Sequence, residues 1–265
     1  MNTPYQVISQ LLLESHLVDD ERYIGFIRKF YSVLGKENYN FRTLGKTKEG
    51  NICLFIPKNI TKKRVLIISG QHGEETSGPW ALLHFIRKFR DMLKDASISF
   101  LPIENVRGFK VHRRDDSTGE PTNYMLDKKG KLRDRGEISN ILKNNFNLLK
   151  ACSKDGLLNL HEDNSSAGFY LYVNGNVDSP AVKAMIESGR QYFDFKKDGK
   201  YTDNGTYELK NGIIDNFSDG SLDDALHKSG TNLTVTLEVP DDDIPLAKRI
   251  LFGSKMTEEF LSNVK

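Results

Sequence analysis

Cysteine is scarce in this chain, with only Cys53 and Cys152 among 265 residues. Two cysteines make no disulfide framework, and their rarity fits a reducing compartment. Neither carries a nucleophile signature, and Cys53 falls in an apolar strand pattern as a small core residue. No hydrophobic run is long enough to cross a membrane. The first apolar stretch, Val7 to Leu13, is broken by Ser9 and Gln10 and followed by Glu14. That is a poor signal peptide, so the cytoplasm is the expected compartment. Charge of one sign is lacking too: 38 Lys and Arg against 36 Asp and Glu leave a formal net charge of +2. Such balance points to neither a nucleic-acid nor a membrane partner. The sequence also shows no internal repeat, linker or low-complexity segment. An apolar content of 38% and a mean hydropathy of -0.50 suit a soluble globular protein with a well-charged surface.

The patterned stretches alternate between the period of a strand and that of a helix. Residues 1 to 36 read as a helical lead-in, with Val7, Leu11 and Leu12, then Ile24, Phe26, Ile27 and Phe30 at helical spacing. Tyr39 to Leu44 and Ile52 to Ile56 read as a hairpin. Strands are expected at Arg64 to Ile68, Ile98 to Leu101, Leu157 to Leu160, Phe169 to Val173 and Leu233 to Val239. Helices are expected from Gly78 to about Lys94, Glu137 to Ala151, Ala181 to Phe193 and Ile244 to Leu261. Between them lie a long polar loop, Glu104 to Arg135, and a polar excursion, Lys196 to Lys210. This alternation predicts a single α/β domain with a mixed, largely parallel twisted sheet and helices on both faces.

The chemistry concentrates where strands stop. After Val65-Leu66-Ile67-Ile68, the turn Gly70-Gln71-His72-Gly73-Glu74-Glu75 sets His72 and Glu75 three positions apart. In open α/β sheets, ligands bind outside the carboxyl ends of the strands. An imidazole and a carboxylate turned toward one point there form a common zinc donor set. His161 follows the apolar run Leu157 to Leu160 and supplies a third donor, or else is a strand-end histidine satisfied by a neighbour. Three protein ligands with one open position is the pattern of catalytic zinc. Glu238, ending another such run, is either a base facing that cleft or a solvated strand-end acid. Glu162 and Asp163 are further acids, but successive strand residues point to opposite faces, which turns Glu162 away. His84 and His112 read as structural or exposed.

Together these stretches resemble the zinc carboxypeptidase superfamily, which includes carboxypeptidase A-like enzymes and the aspartoacylase and succinylglutamate desuccinylase group. Phe41 to Ile56 resembles its entry hairpin and Gly70 to Glu75 its first metal motif. Pro102 to Phe109 resembles its Asn-Pro-Asp-Gly-aromatic string, Asn159-Leu160-His161 its third-ligand strand, and Thr236-Leu237-Glu238 the strand of its general base. The resemblance runs from about residue 40 to 240 and implies a zinc hydrolase domain over residues 37–265. It implies His72, Glu75 and His161 as zinc ligands and Glu238 as general base. Arg114 matches the arginine that polarises the scissile carbonyl, with Arg113 as its rival one position away, and Asn123 matches a substrate-placing asparagine.

Three positions depart from the family pattern. Tyr124 stands where an arginine would grip a terminal carboxylate, a bidentate role that a phenol cannot fill. Arg133 or Arg135 would have to reach in instead. Pro121 occupies the place of an Asp that orients a metal-bound histidine. Near the slot of a substrate-binding tyrosine stand Leu226 and His227, and His227 is either a substitute donor or a surface histidine. The expected activity is therefore zinc-dependent hydrolysis of an amide bond in a peptide, with altered C-terminal recognition. Deacylation of a small N-acylated amino acid is the alternative, and a zinc-binding scaffold without catalysis is the rival from another class.

Overall fold

The sequence Tyr39–Lys46 (β1) folds back on Asn51–Pro57 (β2) as an antiparallel hairpin, with a bulge between Thr43 and Gly45. It forms one edge of the sheet in this computed structural model, which describes residues 20–35, 38–60, 63–94, 96–120, 122, 125–126, 130–132, 136–202 and 206–265. The remaining strands are Arg64–Ser69 (β3), Ser97–Leu101 (β4), Gly156–Asp163 (β5), Tyr170–Asn174 (β6), Gly199–Thr202 (β7), Thr206–Lys210 (β8), Ile213–Asp215 (β9) and Thr234–Pro240 (β10). They lie in the order β1-β2-β4-β3-β5-β10-β6-β9-β8-β7. The middle, β4-β3-β5-β10, is parallel. The flanks are mainly antiparallel, with a parallel β6–β9 pair inside the second.

The parallel middle follows from composition. β3 and β4 are nearly continuous runs of apolar and small residues, and both faces of each are buried, as expected where helices cover a sheet on either side. Each aliphatic side chain fully buried there contributes about 1.5–3 kcal/mol relative to exposure. The helices are Asp20–Leu34 (α1), Ser77–Lys88 (α2), Val106–Val111 (α3), Glu137–Asn144 (α4), Phe146–Cys152 (α5), Pro180–Gly189 (α6), Leu222–Lys228 (α7) and Leu246–Asn263 (α8). Phe26 and Phe30 fasten α1 to the sheet. Phe26 meets Trp80 edge-on at 5.1 Å, and Phe30 packs against Phe55 at 5.1 Å and Phe100 at 5.7 Å. The first part of the expected lead-in, with Val7, Leu11 and Leu12, lies outside the described residues.

Several boundaries differ from the sequence reading, each for a local reason. The helix expected over Glu137 to Ala151 is two helices broken at Asn145. There the side-chain amide donates to the carbonyls of Ile141 (2.8 Å) and Leu44 (2.9 Å), competing with helix continuation. The helix expected to reach Lys94 ends at Lys88 and gives way to a 3-10 turn, Arg90–Lys94. The long loop contains α3, capped by Asn105, whose Oδ1 accepts from the Gly108 N–H at 2.8 Å. The polar excursion forms the β7–β8 hairpin. Among the described residues no helix is long and apolar enough to cross a membrane.

Candidate active site

The chain leaves β3 for β4 on one side and later returns to place β5 on the other. Such a reversal opens a crevice outside the strand ends, where ligands of open α/β sheets bind. His72 and Glu75 occupy the turn after β3. His161 lies inside β5 rather than at its end, because that strand continues through His161 and Glu162 to Asp163. In register, Glu238 of β10 stands directly beside His161 of β5 and opposite Tyr170 of β6. Alternation along β5 puts Asn159, His161 and Asp163 on one face.

The three expected donors converge. Glu75 Oε1 meets His72 Nδ1, and Glu75 Oε2 lies 2.8 Å from His161 Nδ1. The two imidazoles are 4.8 Å apart between centroids. All three residues are buried, and their donor atoms fall within 4.8 Å of one another. One ion can bridge that spread with minor side-chain adjustment. Two imidazoles and a carboxylate suit zinc-like cations, and three protein donors leave a position open. The residues therefore fit a metal.

Close backbone approach shapes the ligand turn. A Cβ on Gly73 would lie 1.9 Å from the Gly108 backbone, and one on Gly108 would lie 2.4 Å from the Arg113 carbonyl. Glycine at both positions lets the turn sit directly on α3, where the Gly73 N–H donates to Arg113 O at 3.0 Å. Asn105 joins this junction through its side-chain amide, which donates to the carbonyls of Arg114 and Asp115, both at 3.2 Å. It thereby places Arg114. The Arg114 guanidinium lies 2.8 Å from Glu74 Oε1 and 3.5 Å from Glu75 Oε1. Arg114 lines both cavities at the site, whereas Arg113 lines neither.

Two cavities flank these residues and share Arg114, Tyr172, Tyr207 and Glu238. The larger, about 600 Å³, is walled by Tyr170, Tyr172, Tyr201 and Tyr207. The smaller, about 90 Å³, ends at Asp219, Ser221, Asp223 and Thr236. Burial and the surrounding acids govern the electrostatics. Burial pushes the Glu238 carboxyl up to about 8; His161 and Arg114 pull it down, while Glu75 and Asp163 add to the rise. For His161, burial opposes the charged ring, but Glu75, then Glu238 and Asp223, outweigh it and raise the group to about 10. The cluster thus favours positive charge at the point where the donors converge, a demand that a bound cation meets in place of protons.

Other residues surround the donors that the motifs did not reveal. His161 Nε2–H donates to Gln71 Oε1 at 3.1 Å, so Gln71 would supply the outer hydrogen bond that orients His161 toward a metal. Thr122 fixes Gln71 in turn, through 3.2 Å and 3.0 Å bonds with the backbone of each residue. Asp223 accepts from Asn159 Nδ2 at 3.1 Å and from Thr236 Oγ1 at 2.5 Å, and burial lifts it to about 6. The fully buried Glu104 is lifted to about 8 by burial and then by Asp223. Glu162 turns away from the donors to Arg249, and Asp163 is held by Lys196 at 2.6 Å and the Tyr170 hydroxyl at 3.0 Å. His227 spends its Nδ1 on the Thr231 carbonyl at 3.1 Å and lines neither cavity. Asn123, Tyr124, Pro121, Arg133 and Arg135 lie outside the described residues. Spacing hints at neither Gln71 nor Asp223, since each meets its partners only across the folded sheet.

The family model of the succinylglutamate desuccinylase/aspartoacylase catalytic domain matches residues 61–189. A crystal structure from Shewanella baltica, of a protein provisionally named a metallopeptidase, is similar over 92% of both chains, with a TM-score of 0.82 and 26% identity. The fold is carboxypeptidase-like. A metallo-carboxypeptidase from Burkholderia cenocepacia shares it at a TM-score of 0.64 and 19% identity, over 92% of this chain and 68% of that one. An aspartoacylase family protein from Mesorhizobium loti shares it at a TM-score of 0.56 and 15% identity, over 86% of this chain and 67% of that one. No curated protein sequence matches significantly. The chain thus has a carboxypeptidase-like fold, with a His-Glu-His cluster in its cleft.

Proposed function

We propose that this protein is a zinc-dependent hydrolase of amide bonds, acting on peptides. The observation that carries the reading is the convergence of His72, Glu75 and His161 beside Glu238 and Arg114, at the edge of an open cleft. His72, Glu75 and His161 would hold the cation, which when bound acidifies water and polarises a carbonyl. Glu238 takes the proton of the attacking water and returns it to the leaving amine. Arg114, half-exposed and anchored through Asn105, faces the oxyanion that develops on the carbonyl. Asn123 and Tyr124 place the substrate, and Tyr124 weakens any requirement for a terminal carboxylate.

The larger cavity favours a peptide over a small acyl group. Its roughly 600 Å³ is in the range that encloses drug-sized ligands. A small N-acylated amino acid would leave more of it to water than a peptide would. Deacylation of an N-acylated amino acid remains the second reading, favoured by the family model over residues 61–189. The test is metal analysis of the purified protein, with hydrolysis of peptides and N-acylated amino acids measured with and without chelator. One equivalent of zinc and chelator-sensitive cleavage of peptides supports the first reading, and cleavage confined to acylated amino acids supports the second. Stoichiometric zinc with no hydrolysis across the panel would leave a binding scaffold.

A further inference from the structure

Arg249 lies on α8, outside every motif, and touches none of the three metal donors. Its Nη1 reaches Glu162 Oε1 at 2.6 Å and Asp241 Oδ2 at 3.2 Å. The Arg249 side chain is 13% exposed and that of Glu162 only 1%. Glu162 then extends the connection in two directions. Its Oε2 accepts from the Ser77 N–H at 3.0 Å, where α2 begins two residues after Glu75. Its own N–H donates to Glu75 Oε2 at 3.3 Å. Glu162 also follows His161 directly, and Asp241 comes three residues after Glu238. A single guanidinium therefore ties together the three chain segments that carry the first metal motif, the third donor and the base.

The helix that presents Arg249 is itself closely held. A Cβ on Gly253 would stand 2.9 Å from Ala81 Cβ, so α8 lies tight against α2. His84 Nδ1 and Ser254 Oγ, 2.9 Å apart, bond the same two helices. Arg249 is the cation that offsets the burial of the Glu162 carboxylate, since an unpaired buried charge is strongly unfavourable.

We propose that Arg249 is a positioning residue of the metal centre, resting on the metal reading above. Through Glu162 it fixes the Glu75 carboxylate and the start of α2 relative to His161, and so sets the donor geometry from the far side of the sheet. Loss of a partner outside the donors of a metal site typically weakens metal binding about 10- to 100-fold.

The test uses the full chain stripped of metal by chelator. Zinc affinity is measured by competition with a chromophoric chelator, and donor geometry by the visible absorption of the cobalt(II)-loaded protein. Arg249→Met should weaken zinc binding about 10- to 100-fold and change the cobalt spectrum, and Arg249→Lys should recover much of both. Because Arg249→Met leaves Glu162 unpaired, the double variant Arg249→Met/Glu162→Gln is measured alongside it. It removes both charges, keeps an acceptor for Ser77, and should retain the loss of affinity. Met256→Ala, a buried change further along α8, should lower Tm with zinc affinity unchanged. Parent-like affinity and spectrum in the double variant would overturn the proposal and make Arg249 a brace of the fold. A parent chain that binds no zinc would overturn the metal reading and this inference together.

Discussion

β3, β5 and β10 run parallel in the middle of the sheet, almost wholly buried, and carry or adjoin the proposed metal donors and Glu238. The wing beyond them, β6-β9-β8-β7, bears the tyrosines that face the larger cavity. Tyr170, Leu209, Ile214 and Phe217 form a small apolar cluster there, separate from the main core, with Tyr172, Tyr201 and Tyr207 packed against it. In the middle, a side chain on the site face has little choice of position, because strand register and burial on both sides fix it. In the wing, packing is local. On the proposed function, the middle would hold the chemistry and the wing would set what binds, which suits a fold whose functions are grafted as sites onto a shared frame.

The sharpest way to break this division is Glu238→Gln, which should lower kcat about 10²- to 10⁴-fold with zinc content unchanged. Loss of zinc instead would make Glu238 a ligand. Arg114→Ala should lower kcat about 10²- to 10³-fold, while Arg113→Ala should stay close to parent activity. Equal losses at both would undo the assignment of the oxyanion role to Arg114. Tyr207→Ala, in the wing, should raise KM severalfold and move kcat little, the signature of lost uniform binding. A large fall in kcat would show that the wing takes part in chemistry.

The smallest effect belongs to the helices behind the middle strands. Burial, then Lys88 and Arg87, pushes His84 down to about 4, against roughly 6.5 in an unfolded chain. Between those values the unfolded chain binds the extra proton, so His84's contribution to stability is complete above about 6.5 and is lost as pH falls toward 4. Urea unfolding at stepped pH should show a shallower acid loss in His84→Gln than in the parent. Identical slopes would mean that His84 takes up its proton over the same pH range folded and unfolded.

The middle of the molecule was the more legible half. Buried parallel strands announce themselves as unbroken apolar runs, and a His or Glu set where such a run stops is conspicuous for its cost of burial. The wing was read as a polar excursion over Lys196 to Lys210, because β7 and β8 are short and mostly polar in sequence. Their strand character comes from pairing with each other and with β9. α7 escaped notice for a similar reason: it is a single short run, buried by what covers it rather than by its own periodicity. Gln71 sits inside the first metal motif, but only folding gives it a partner there, by bringing its amide to His161, 90 positions away.

The sequence by itself determined which segments would become the central strands and which side chains would stand at the ligand turn, because apolar period and local turn chemistry are properties of neighbouring residues. Tertiary structure alone decided that Glu238 stands beside His161, that Arg114 rather than Arg113 enters the cleft, and that Arg249 reaches Glu162. Those outcomes depend on strand order, register and helix placement. Each is settled by contacts between residues far apart in the chain, which no local pattern encodes.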